Sequence, residues 1–239
     1  MTRMPVRLNV EVHGLGERLL DLLFPPRCVN CKKTGSALCA KCTASIRHIP
    51  PPFCLRCCHP LASARAMCPD CHAHPRIITR IRAATLHEGA AREAIHALKY
   101  NKRRDIVPPL ANLLAREFTQ LGTQIDFITA VPLHAERERE RGYNQSALLA
   151  EQLARAVNGA YAPMLERTRA TADQIGLNAQ ERRANVQDAF SARGHAMTDK
   201  QIALIDDVCT TGATLDACAA ALYAKGARGV YGLTVARAN

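Results

Sequence analysis

IALIDDVCTTGATLDA, residues 202–217, opens as a buried strand and closes as a helix. Four apolar residues, Ile202 to Ile205, run into the adjacent carboxylates of Asp206 and Asp207. Val208, Cys209, Thr210, Thr211, Gly212, Ala213 and Thr214 then turn into a helix-forming tail. In a parallel α/β sheet, ligands bind at the carboxyl ends of the strands, and both aspartates stand there. The turn after them leads to a helix N-terminus, whose free N–H groups and partial positive charge suit a phosphate. Thr210, Thr211 and Thr214 add hydroxyl donors, and Gly212 permits close approach. Two carboxylates beside a phosphate cradle suggest a sugar phosphate, the carboxylates accepting from ribose hydroxyls. The plain alternative is a strand end with two solvated aspartates and a capped helix. There is no G-x-x-x-x-G-K sequence, so this is not a Walker loop.

Outward from this stretch, the same texture holds from residue 81 onward. DFITAVP (126–132) and GVYGLTVA (229–236) read as further buried strands. Pro108 and Pro109 open a helix through Leu121, and Gly122 closes it. Residues 144–157 read as a helix with Asn144 or Ser146 as its N-cap, and 212–225 as one stopped by Gly226. Strands alternating with helices imply a parallel sheet with crossover connections. Between Arg167 and Lys200 the pattern weakens into a polar stretch rich in Arg, Asn and Gln, and such a segment inside a domain is usually functional or disordered.

The first third of the chain is of another kind. Nine of the eleven cysteines lie between Cys28 and Cys71, and eight of them form C-x-x-C pairs: Cys28/Cys31, Cys39/Cys42, Cys54/Cys57 and Cys68/Cys71. A C-x-x-C turn supplies two soft ligands from one knuckle, so four pairs make two complete tetrahedral zinc sites. We expect pairing in sequence order, with an interleaved pairing as the alternative. Cys58 follows Cys57 directly; the two-residue spacing favours Cys57 as the ligand. The proline run at 50–52 separates the two halves, which read as an internal repeat. Residues 7–24 read as an amphipathic helix ended by Pro25 and Pro26. The expected organisation is a helix at 1–24, a double zinc module at 25–76 and an α/β domain at 77–239.

The length of 239 residues suits one sizeable domain plus a small one. No apolar run is long enough for a bilayer, and no basic-then-apolar signal pattern opens the chain, so a cytoplasmic protein is expected. Residues 1–80 hold 12 Lys and Arg against 4 Asp and Glu; residues 81–239 hold 20 against 17. Eight thiolates on two zinc ions would halve the N-terminal excess, so the formal charge of +11 overstates the case for nucleic acid.

Apolar residues, two acidic residues, a short turn, Thr-Gly and then Thr together resemble the phosphoribosyl pyrophosphate (PRPP) motif of type I phosphoribosyltransferases. AVPLHAERERERGYNQSALLAEQLA, ALKYNKRRDIVPPLA and TADQIGLNAQERRANVQDAF resemble the ComF/GntX family, and the cysteine pairs are similar to its N-terminal double zinc ribbon. The resemblance implies a type I phosphoribosyltransferase fold and a set of roles. Asp206 and Asp207 would hold the ribose 2′- and 3′-hydroxyls, with Mg²⁺ bridging hydroxyls and pyrophosphate. Val208 to Thr214 would hold the 5′-phosphate. Val131 to His134, with Pro132 and Leu133 central, would face the pyrophosphate. Arg139 and Arg141 would neutralise it, while Arg137 reads as a solvated helix face. Arg182 and Arg183 would ride on a closing loop at 168–190, and residues 81–100 with the C-terminus would build an acceptor-binding hood. The resemblance also implies participation in natural competence, in the handling of imported single-stranded DNA and with competence-machinery proteins. The alternatives are a PRPP-binding sensor, or a transferase acting on a small acceptor with no DNA role. Cys209 lacks a base partner that would make it a nucleophile, and Cys218 is expected in a helix core.

Overall fold

The computed structural model describes residues 25–63, 66–169, 181, 185–186, 188–194 and 197–238. The helix expected at 7–24, and Arg182 and Arg183, lie outside these residues. The centre is a four-stranded sheet in which every pairing is parallel. Its strands are β1 (Arg80–Leu86), β2 (Phe127–Ala130), β5 (Gln201–Cys209) and β6 (Gly229–Arg237), in the order β1-β6-β5-β2. A second, antiparallel pair joins β3 (Leu165–Arg167) to β4 (Phe190–Ala192).

Parallel strands buried on both faces read as continuous apolar runs, and β5 shows why. Alternate residues feed two separate cores. Ala203 and Ile205 pack with the helices α3 (Gly89–Tyr100), α4 (Val107–Thr119) and α6 (Gln145–Val157). Ile202 and Leu204 pack with the β3–β4 pair and helix α7 (Ala213–Tyr223). Both isoleucines and Leu204 are fully buried, each contributing about 1.5–3 kcal/mol of apolar transfer. The caps agree with the sequence. Asn144 accepts from the N–H groups of Ser146 (2.9 Å) and Ala147 (3.3 Å), and Asn158 ends α6 in the left-handed conformation.

The cysteine modules do not stand apart from this sheet. The short helices α1 (Ala40–Ala44) and α2 (Pro69–Ala73) each follow a cysteine of the second pair of a module. Cys28 and Cys42 belong to the core on the α4 face, whereas Cys54, Cys57, Cys68 and Cys71 belong to the core on the α7 face. The chain between the modules therefore passes the sheet edge, along β1. Leu86 N–H donates to Arg47 C=O, Ile81 N–H donates to Arg56 C=O, and His48 bridges Thr85 antiparallel. Residues 80–86 are thus an edge strand of the sheet, and of the stretch expected to build a hood His87, Lys99 and Tyr100 reach the cleft. The same charges that hid the strand also explain its fit: Arg82 pairs with Glu117 at 2.8 Å and stacks over Phe53.

Candidate functional site

Both four-cysteine sets converge in sequence order. Cys28, Cys31, Cys39 and Cys42 form one group and Cys54, Cys57, Cys68 and Cys71 the other, with all sulfurs of a group within 4.8 Å of one another. Zn–S bonds of about 2.3 Å would set the sulfurs of a tetrahedron roughly 3.8 Å apart. Cys31–Cys39 and Cys57–Cys68 are both 3.6 Å apart, and all eight thiols are free. The donor sets fit structural zinc. The two knuckles repeat bond for bond: Lys32 N–H donates to Cys28 C=O as Cys58 N–H does to Cys54 C=O. Lys32 and Cys58 occupy the same left-handed position, at φ +63° and +60°. Cys58 is therefore the residue that turns the knuckle. Its buried sulfur lies toward Ala83 C=O, outside the ligand set.

At the carboxyl end of the sheet lies a cleft of about 830 Å³. Asp206, Asp207, Val208, Cys209, Thr210, Gly212, Ala213 and Thr214 line it, with Pro132 and Leu133 opposite. The stretch after β5 thus meets the stretch after β2, as the motif reading required. Both aspartates line this cleft, with different partners. Asp207 receives Lys99 of α3 at 2.7 Å, and its Oδ2 is buried with no hydrogen-bond partner among the described residues. Asp206 accepts from the Ser146 hydroxyl and from Asp207 N–H, both at 2.9 Å. Burial and the neighbouring Asp207 charge push its carboxyl up to about 7, against the pull of Lys99. Burial disfavours the Lys99 ammonium, but Asp207 more than offsets this and holds its pKa above the ordinary value.

Thr211 is outside the cleft lining, and its hydroxyl accepts the N–H of Ala213 at 3.3 Å. Cys209 is buried; burial raises its thiol to about 11, which suits a packing residue and not a nucleophile. Cys218 is fully buried, as expected. The arginines need one correction. Helix α5 (Ala135–Arg141) presents Arg137 and Arg141 to the cleft, four residues apart on one face, while Arg139 is exposed and outside the lining.

Lys99, Tyr100 and Ser146 lie within the family-like stretches but carry no site role there, and His87 and Arg167 lie outside them; all five line the cleft. For Lys99 a signal existed: it lies four residues after the buried Ile95, on the apolar stripe of α3. Burial, followed by the nearby Arg137, lowers the pKa of the Arg167 guanidinium and so favours an anionic neighbour for it. Tyr100 is 60% exposed at the lip, with His96 at 4.8 Å and the Arg141 guanidinium at 5.7 Å from its ring. No helix among the described residues is long and apolar enough to cross a membrane.

Residues 19–72 match the family model of a double zinc ribbon domain. A protein of Salmonella typhimurium named DNA utilization protein YhgH is 32% identical over 196 residues, covering 80% of this chain and 86% of that protein. Competence protein F of Haemophilus influenzae is 30% identical over 206 residues, covering 81% and 89%. Among solved structures, adenine phosphoribosyltransferase of Trypanosoma brucei, complexed with AMP, pyrophosphate and ribose-5-phosphate, superposes with a TM-score of 0.39 at 13% identity, covering 59% of this chain and 68% of that one. The cysteine sets, the strand-end motif and these sequence relatives agree: the chain belongs to the ComF/GntX family.

Proposed function

We propose that the cleft binds PRPP, with Asp206 and Asp207 accepting the ribose hydroxyls and the Val208–Thr214 loop receiving the 5′-phosphate. The observation that carries this reading is the buried Oδ2 of Asp207, unpartnered among the described residues, beside a phosphate-type turn in one cleft. A buried acceptor left open costs free energy unless a ligand hydroxyl or cation completes it. Mg²⁺ takes oxygen ligands from one or two carboxylates plus substrate phosphates, and this donor set fits: Asp206 and Asp207 would hold it, where it would offset diphosphate charge. Arg137, Arg141 and Arg167 supply further cations for the pyrophosphate. If the protein is a transferase, displacement at the ribose C1 needs no protein nucleophile, only positioning and stabilisation of the leaving group. Cys209 is accordingly left out of the chemistry.

The test is ³¹P NMR of the zinc-loaded protein with PRPP and Mg²⁺, beside an Asp206→Asn/Asp207→Asn variant. Wild type is expected to broaden or shift the PRPP resonances and the variant to leave them alone. Pyrophosphate accumulation in the same tube distinguishes an enzyme from a sensor. Unperturbed resonances with wild type overturn the reading.

A second reading draws on the relatives, whose names attach them to DNA utilization and competence. Tyr100, exposed beside Arg141 at the cleft lip near Lys102, offers a stacking face with phosphate-binding cations for a single strand. Binding of a short single-stranded oligonucleotide should fall with salt and with Tyr100→Ala. Salt-independent binding, or no effect of the variant, counts against it. Handling of imported DNA in the cytoplasm alongside competence-machinery proteins would follow from this reading.

A further inference from the structure

Two buried arginines join the second cysteine set to the phosphate-type loop. Arg76 donates through Nη2 to Asp70 at 2.7 Å, through Nη1 to Asp216 at 2.9 Å and through Nε to the Cys71 sulfur at 3.5 Å. Asp216 lies in the first turn of α7 and also accepts Ile78 N–H at 3.1 Å. Gly212 has φ +82°, and a Cβ built there would lie 3.0 Å from Arg76 Nη1. The guanidinium is therefore the floor under the glycine of the loop. Arg237, at the end of β6, donates through Nη1 to Cys57 C=O at 2.9 Å and to the Cys209 sulfur at 3.1 Å. One arginine ties Cys71 to the helix end of the loop; the other ties the Cys57 backbone to its strand end. The first cysteine set packs in the opposite core, with α3, α4 and α6.

We infer that Arg76 and Arg237 are positioning residues that make the geometry of the loop at 208–216 depend on metal occupancy of the second cysteine set, and not of the first. A metal-bound thiolate has a fixed position and a fixed negative charge, and both orient the Arg76 fork. Without metal, four thiols have no common anchor. The fork then keeps its carboxylates but loses the partner that sets its angle under Gly212. Because coupling free energies are reciprocal, whatever orders the loop also tightens the cysteine set.

The test is amide hydrogen exchange on the full zinc-loaded chain, with zinc counted in the same samples. Cys68→Ser removes metal from the second set and Cys39→Ser from the first. Exchange through 208–216 should rise about tenfold in the first variant and stay within about twofold of wild type in the other. Arg76→Met, with both zinc ions retained, should reproduce the faster loop exchange. If Cys68→Ser does not fold, partial chelation of wild type gives the same reading, since exchange at 28–42 and at 54–71 reports which metal has left. Unchanged loop exchange after loss of the second metal overturns the inference, as does equal acceleration from the first. A ligand arm rests on the PRPP reading: PRPP with Mg²⁺ should raise the zinc affinity of the second set about tenfold in wild type and not in Arg76→Met, read by competition with a chelator at equilibrium. PRPP binding seen by ³¹P NMR without tighter zinc binding overturns the coupling. No ³¹P perturbation overturns the PRPP reading alone, and the exchange arm then decides the coupling.

Discussion

Asp206→Asn is expected to stabilise the ligand-free protein at pH 8 and to do so far less at pH 5. The carboxyl has an ordinary value of 3.8 and is pushed up to about 7, first by burial and then by Asp207. Below about pH 4 it is protonated in folded and unfolded chains alike and costs nothing. Between about pH 4 and 7 the unfolded chain releases the proton and the folded chain keeps it, so stability falls as pH rises through this window; above about pH 7 the whole penalty is present. At about 1.4 kcal/mol for each tenfold change, the ceiling is about 4 kcal/mol. The cleft wets one side of the carboxyl, so about half of this, about 2 kcal/mol, is expected at pH 8, and under about 1 kcal/mol at pH 5. The amide keeps the acceptor that Ser146 and the Asp207 N–H use, so the variant loses charge without losing either bond. Urea denaturation of both proteins with zinc in excess measures the difference; metal release at low pH is common to both and cancels. A stability gap equal at pH 5 and pH 8, or a variant less stable at pH 8, would refute the reasoning.

Lys99→Met leaves the buried Asp207 without its cation and should destabilise by about 3–5 kcal/mol, with at least half recovered in Lys99→Met/Asp207→Asn; the same denaturation assay completes this cycle. Arg137→Ala should weaken PRPP binding about tenfold in a ³¹P titration, and Arg139→Ala should change it less than about twofold. Cys58→Gly should retain both zinc ions, because its position demands a left-handed turn and not a ligand, whereas Cys57→Ser should lose one; native mass spectrometry counts them.

What the sequence made legible was what local chemistry dictates. The apolar runs of β2, β5 and β6, the Asn144 cap and the knuckle spacing each carry their meaning within a dozen residues, and the structure places them as read. Strand β1 is not legible because Arg80 and Arg82 interrupt its apolar run; Arg82 is accommodated by Glu117 and Phe53, partners far away in the chain. The β3–β4 pair is not legible because three-residue strands carry no period. On α5, which arginine lines the cleft is a question of helical phase, which a run of alternating Glu and Arg cannot reveal, since no apolar residue marks the inner face. Nor does spacing say on which side of a sheet a zinc module packs. The division of the two cysteine sets between opposite cores is a property of the path between them.

That path has a consequence for solubility. A parallel sheet of four strands has two open rows of backbone donors and acceptors, each a template for pairing with a second molecule. Here both rows are occupied. Residues 47–56 bond along β1, and on the far side the Ile128 N–H donates to Ala160 C=O while Ala162 N–H donates to Ile128 C=O. The first cover is a strap buckled at each end by a cysteine set. A chain that loses its metal therefore also loosens the cover on β1 and offers a bare strand to its neighbours, so that zinc supply bears on whether the protein stays dispersed as well as on whether it stays folded.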